Sequence, residues 1–190
     1  MNWRLGCVFL AVILCFWLVP SAEAGDREDN LVNLAGKGDV DGVRSLLDQG
    51  GVNVNAKDSA LGCTALVYAA QWDKPDVVRL LLARGADINM IGNGYTPLTV
   101  AAFLGRTNIV RILIDKGADV NKADESGKTT VGDEMIVSGR TALTTATDAL
   151  EKGMPADMDG SGNVTYNPLT PTEKEAYTAI VQMLKAAGAK

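Results

Sequence analysis

The chain has 190 residues and a net charge of −5, with 18 basic against 23 acidic side chains, three cysteines and no histidine. Without histidine, Ser-His-Asp and Cys-His catalysis and any histidine-ligated zinc site are excluded. No basic cluster is present to neutralise phosphates, so nucleic acid is not an expected partner.

Met1 to Ala24 carries an early positive charge at Arg4, an apolar run from Leu5 to Val19, and the small residues Ala22 and Ala24. This is the pattern of a secretory signal peptide with an A-x-A cleavage site, and the run is short of a membrane span. Cleavage after Ala24 leaves one repeat domain, residues 25–190, with no membrane span and a periplasmic or secreted location. Cys7 and Cys15 lie in the signal, so Cys63 stands alone in the remainder, which must be held together by packing.

Glu28 to Ala35 and Val40 to Leu47 have the apolar spacing of two short helices, followed by Gly50-Gly51 and the turn-forming Val52-Asn53-Val54-Asn55. This pair matches the units after it only loosely, as a terminal capping unit should. The next units are regular. Gly62-Cys63-Thr64-Ala65-Leu66-Val67-Tyr68-Ala69-Ala70 precedes Gly94-Tyr95-Thr96-Pro97-Leu98-Thr99-Val100-Ala101-Ala102 by 32 residues. Gly85-Ala86-Asp87-Ile88-Asn89 precedes Gly117-Ala118-Asp119-Val120-Asn121 by the same 32. Thr96 is placed to cap a first helix and Pro97 to start it. After a turn at Gly105-Arg106, Ile109, Val110, Ile112 and Leu113 define a second helix that ends at Gly117. A pair this short cannot bury its apolar face alone and must stack on similar pairs.

These motifs resemble the ankyrin repeat, whose unit reads G-x-T-P-L-H-x-A-A, a turn, an apolar V-V-x-L-L-L helix, and G-A-D-V-N. The resemblance covers about residues 30–146 and 172–189, and implies an all-α solenoid of stacked helix-turn-helix pairs with hairpin loops. One departure is consistent. Val67, Thr99 and Thr144 stand where the family has the histidine that links neighbouring loops, so Thr99 and Thr144 are expected to replace that strut in part and Val67 not at all.

The fourth unit is interrupted twice. Asp124 to Thr129 matches the hairpin that leads into a first helix, yet the pattern resumes only at Arg140-Thr141-Ala142-Leu143, so residues 130–139 are expected to form an extended finger from the loop edge. A first helix over Thr141 to Lys152 is separated by residues 153–170 from a closing helix over Pro171 to Ala187. Thr170, Pro171 and Glu173 form its capping box, and Ala179, Ile180, Met183 and Leu184 its apolar face. Gly127-Lys128-Thr129 fails as a phosphate loop, because Lys122 occupies the position of the leading glycine and no buried strand precedes it; no nucleotide is expected.

Within the second insertion, Asp157, Asp159, Ser161, Asn163 and Thr165 have the spacing of calcium ligands in an EF-hand loop, with Gly162 at the sharp turn. Pro168 stands where the bidentate Glu belongs, so any binding of Ca²⁺ is expected to be weak. The plainer reading of this stretch is a polar turn-rich loop.

The resemblance implies a module that binds another protein through its hairpin loops and inner helices, as an inhibitor, an immunity-like protein or a helper. Matching the family's variable positions gives Leu61, Asn93 and Tyr95 on the loops and Tyr68, Trp72 and Phe103 on the inner helices as partner-binding candidates. Trp72 and Phe103 could equally fill gaps between repeats. The alternatives are a calcium-dependent binding protein and a hydrolase built on Asp133, Glu134, Asp157 and Asp159, although nothing in the sequence fixes the separation of those carboxylates. No catalytic residues are assigned.

Overall fold

A computed structural model describes residues 27–125, 128–131, 134–137, 139–158 and 164–190. Four antiparallel helix pairs stack side by side: α1 (Arg27–Lys37) with α2 (Val40–Asp48), α3 (Ala65–Gln71) with α4 (Pro75–Ala83), α5 (Pro97–Phe103) with α6 (Thr107–Asp115), and α7 (Ala142–Lys152) with α8 (Pro171–Ala186). The odd-numbered helices pack on one another to form the inner layer, and α2, α4, α6 and α8 form the outer one. The architecture is the expected all-α solenoid, carrying two small β-hairpins in its last unit.

Small residues set the spacing of the stack. Ala35, Ala69, Ala70, Ala101, Ala102 and Ala146 are fully buried, which lets inner helices approach closely, while Val78, Leu81, Ile109, Leu113, Ile180 and Leu184 fill the space beneath them. In α8 the largest buried side chain is Tyr177. Ala179 and Met183, expected on the buried face, are only half-buried, and Tyr177 and Val181 are buried with Ile180 and Leu184 instead.

Threonine caps the inner helices α3, α5 and α7 and also the outer helix α8. Thr64, Thr96, Thr141 and Thr170 accept from the amides of Val67, Thr99, Thr144 and Glu173, each contributing about 1 kcal/mol. At α8 the box is complete, since Thr170 N and Oγ1 both donate to Glu173 Oε2, and these bonds hold the Glu173 carboxyl below the usual carboxylate range. The expected role of Thr99 and Thr144 as inter-loop struts is not what the structure shows. Thr99 Oγ1 accepts from Thr96 N at 2.9 Å, and Thr144 Oγ1 donates to Thr141 O at 3.0 Å. A hydroxyl on so short a side chain stays within its own helical turn.

The units are tied together elsewhere. Asn55 Oδ1 accepts from Asp87 N at 2.7 Å, Asn89 Oδ1 from Asp119 N at 2.9 Å, and Asn121 Oδ1 from Lys190 N at 2.9 Å. The asparagine that ends the turn after one unit thus hooks the backbone after the next. Asp87 and Asp119 brace these asparagines by accepting from their amides.

Both insertions are hairpins. The first pairs β1 (Lys128–Val131) with β2 (Glu134–Val137), antiparallel, with Val131 opposite Glu134 and Thr129 opposite Ile136. It begins two residues before the expected finger. The second pairs β3 (Met154–Met158) with β4 (Val164–Asn167), where a plain polar loop was one expectation.

Candidate functional site

The loop that enters α3 is closed at its base by a buried carboxylate. Asp58 Oδ1 accepts from Cys63 N at 2.6 Å, while Asp58 N donates to Cys63 O at 2.8 Å. The fourth loop repeats this arrangement across a much longer excursion: Arg140 N donates to Asp124 Oδ1 at 3.0 Å and Asp124 N donates to Arg140 O at 2.9 Å. The first insertion is therefore housed in the tip of an ordinary loop whose base is unchanged. The local match of Asp124 to Thr129 does not close the loop.

Loop tips are joined by main-chain bonds. Asn93 N donates to Gly62 O at 3.0 Å and Glu125 N donates to Gly94 O at 2.7 Å, so the tips form a backbone ladder across the stack. At its first end the ladder is finished by a side chain, because Asp29 on α1 accepts from Ser59 N at 2.8 Å and from Ser59 Oγ at 2.6 Å.

The six sequence-chosen residues fall into two rows rather than one patch. Leu61, Asn93 and Tyr95 lie at the loop edge. There Asn93 is exposed with φ +50°, and Leu61 and Tyr95 are half-buried against the core. Trp72 and Phe103 lie at the opposite end of the inner helices, about 10 Å away along a seven-residue helix, and Tyr68 sits one turn from Trp72.

The aromatic row is half-exposed and built on the neighbouring unit. A Cβ placed on Gly36 would lie 3.1 Å from Tyr68 Cδ1 and 3.4 Å from Trp72 Cδ1, so this glycine makes room for both rings. Phe103, half-exposed, ends α5, and its carbonyl accepts from Tyr177 Oη at 2.6 Å. Arg106 Nε donates to Gln71 O at 3.4 Å. Gap-filling and partial exposure therefore coexist: Tyr68 and Trp72 are steadied by Gly36 beneath them, and all three rings are partly buried. Tyr177 and Arg106 support this row and escaped sequence reasoning, which had no means of pairing residues 74 and 35 positions apart. Burial pushes the Tyr177 phenol up to about 12, with Glu173 adding to the rise and Arg106 opposing it.

The second insertion sets Asp157 directly opposite Thr165 in the β3–β4 register. A strand therefore leads into this loop where an EF-hand has a helix. Asp159, Ser161 and Asn163 lie outside the described residues, as does Asp133. Among the described residues no group of three acidic or cysteine side chains is arranged to hold a metal. The two hairpins leave opposite ends of α7, whose 11 residues span about 16 Å. Among the described residues no helix is long and apolar enough to cross a membrane.

A family model of ankyrin repeats, in three copies, matches residues 13–124. Over 84 residues the chain is 42% identical to the 2-5A-dependent ribonuclease of Homo sapiens, a match covering 41% of this chain and 11% of that protein. The match spans a small fraction of the relative's length.

Proposed function

The chain belongs to the ankyrin repeat family, a family of binding scaffolds, and from that premise we propose that it is an exported protein-interaction module that grips its partner with the inner helices and loop tips. The observation that carries this reading is the pair Tyr68 and Trp72, seated over Gly36 and only partly buried at the end of the inner layer. Aromatic side chains held in place before binding bury large area while losing little rotamer freedom, which is the property of interface hot spots. Phe103 continues the row on the next unit. An inhibitor, immunity-like or helper role would use the same face.

Export rests on the Met1–Ala24 signal pattern. Intact mass of the protein from its own compartment is expected to begin at Gly25, and retention of Met1 would remove the periplasmic or secreted location. The binding face is tested with the partner that co-purifies. Trp72→Ala combined with Phe103→Ala should weaken that complex by more than about 2 kcal/mol with helicity kept, whereas Arg79→Ala on the outer layer should leave it unchanged. Equal loss for both variants would move the site away from the inner layer.

Calcium-dependent binding is the second reading, favoured by the β3–β4 register that brings the first and ninth loop positions, Asp157 and Thr165, to the neck of one hairpin.

A further inference from the structure

We propose that Asn93-Gly94 is a self-modification site: the Gly94 nitrogen closes on the Asn93 carboxamide to form a succinimide, and hydrolysis to isoaspartate opens the loop ladder at the partner-binding edge. The chemistry stands apart from the protein-binding reading above, and its consequence for a partner rests on that reading.

Ring closure needs an asparagine followed by a residue whose amide nitrogen can reach its side chain. Asn93 is the one asparagine in the chain that precedes glycine, which has no Cβ to obstruct that approach. The structure singles it out a second time. Asn53, Asn55, Asn89 and Asn121 each hold a backbone amide with Oδ1. Asn30, Asn33 and Asn108 lie within helices, and Asn167 precedes Pro168, whose nitrogen carries no hydrogen. Asn93 is exposed, and among the described residues neither its side chain nor Gly94 N makes a hydrogen bond.

The turn explains why this pair is present and what its modification breaks. Tyr95 N donates to Gly92 O at 3.1 Å and Gly92 N to Tyr95 O at 2.9 Å, enclosing two residues with φ +50° and +84°. Two positive φ values in a two-residue hairpin make a type I′ turn, for which Asn-Gly is the favoured pair. Asn93 N donates to Gly62 O and Gly94 O accepts from Glu125 N, so the two ladder bonds of this loop lie on either side of the reacting peptide. Ring closure requires rotation about the Asn93 Cα–C bond out of the I′ geometry. It therefore proceeds from a locally opened turn, and a partner covering the loop tips slows it.

In the first step Gly94 N loses its proton to hydroxide and bonds to Asn93 Cγ, the Cγ–Nδ2 bond breaks, and ammonia leaves. Water then opens the ring at either carbonyl to give aspartate or isoaspartate. The isoaspartyl form routes the main chain through Cβ and Cγ, which inserts one methylene, about 1.5 Å of chain, between the nitrogen that donates to Gly62 and the carbonyl that accepts from Glu125. The tip then no longer matches both neighbouring loops, and either product adds a negative charge next to Glu125.

The purified full chain is incubated in mildly alkaline buffer and mapped by peptide mass spectrometry with electron-transfer fragmentation, which separates aspartate from isoaspartate. Isoaspartate should accumulate at position 93 ahead of every other asparagine, and the modified protein should exchange its Glu125 amide on the order of tenfold faster than fresh protein. Asn93→Gly accepts the same turn and lacks the reacting group, so its Glu125 exchange after ageing should match that of its own fresh form. A position 93 that stays unmodified, or deamidation spread evenly over the asparagines, would overturn the site. Isoaspartate at 93 with unaltered exchange at Glu125 would overturn the opening of the ladder. Neither result touches the Trp72 and Phe103 test of partner binding. Conversely, fresh protein that binds no partner defeats the binding reading, while exchange at Glu125 still decides this one.

Discussion

Tyr177→Phe removes one hydroxyl and nothing else from the joint between the last two units. The Tyr177 side chain is 2% exposed and its Oη donates to Phe103 O at 2.6 Å. That carbonyl lies at the end of α5, where helical carbonyls lack intrahelical donors. The substitution loses a bond with a net contribution of about 1 kcal/mol and strands a carbonyl at a similar cost, while the ring keeps its packing beside Gly105. We expect destabilisation of about 1–2 kcal/mol, a drop in melting temperature of roughly 3–6 °C for a domain of this size. A pH signature accompanies it. In the fold the phenol stays neutral to about 12, whereas in the unfolded chain it ionises near pH 10, so its contribution is complete below pH 10 and is lost as pH rises through 12. Thermal melts from pH 8 to 12 should therefore fall more steeply for the wild type than for Tyr177→Phe. Coincident melts at neutral pH, or parallel slopes above pH 10, would refute the assignment.

Other expectations follow from single contacts. Asn89→Ala leaves Asp119 N without its acceptor and is expected to cost about 1 kcal/mol in urea unfolding, with loosening at the junction of the second and third units seen by hydrogen exchange. Asp73 has φ +53° at a turn where Gly38 and Gly105 hold the equivalent places, so Asp73→Gly should not destabilise and should gain up to about 1 kcal/mol. Calorimetric titration with calcium should give a dissociation constant on the order of 10⁻⁴ to 10⁻³ M that Asp157→Ala weakens; identical flat titrations would leave the second insertion a plain hairpin.

The repeat architecture was legible because every unit buries the same positions. The 32-residue recurrence of Thr-x-Leu and the paired alanines located the inner helices to within one or two residues, and the glycines at 85 and 117 marked the helix ends, with φ +85° and +84°. The role of asparagine in the G-A-D-x-N segment was not legible, since its acceptor function exists only once the next unit is stacked beside it. Residues 124–129 misled for a related reason. They match a complete loop locally, but closure is decided by the cap at Thr141, and Arg140 takes the bond to Asp124. The β3–β4 hairpin was missed because its strands are too short for a period of two to show. Of the binding candidates, the sequence already divided loop residues from inner-helix residues, but the glycine beneath Tyr68 and Trp72 was not legible, because Gly36 meets those rings only once the units are stacked.

The central claim is tested most directly by a hydrogen-exchange footprint of the protein bound to the partner that co-purifies with it. Protection is expected at Tyr68 to Lys74, Phe103 to Arg106 and the loop tips near Gly62, Asn93 and Glu125, with α4 and α6 exchanging as in the free protein. Protection confined to the outer helices would contradict an inner-face binding module.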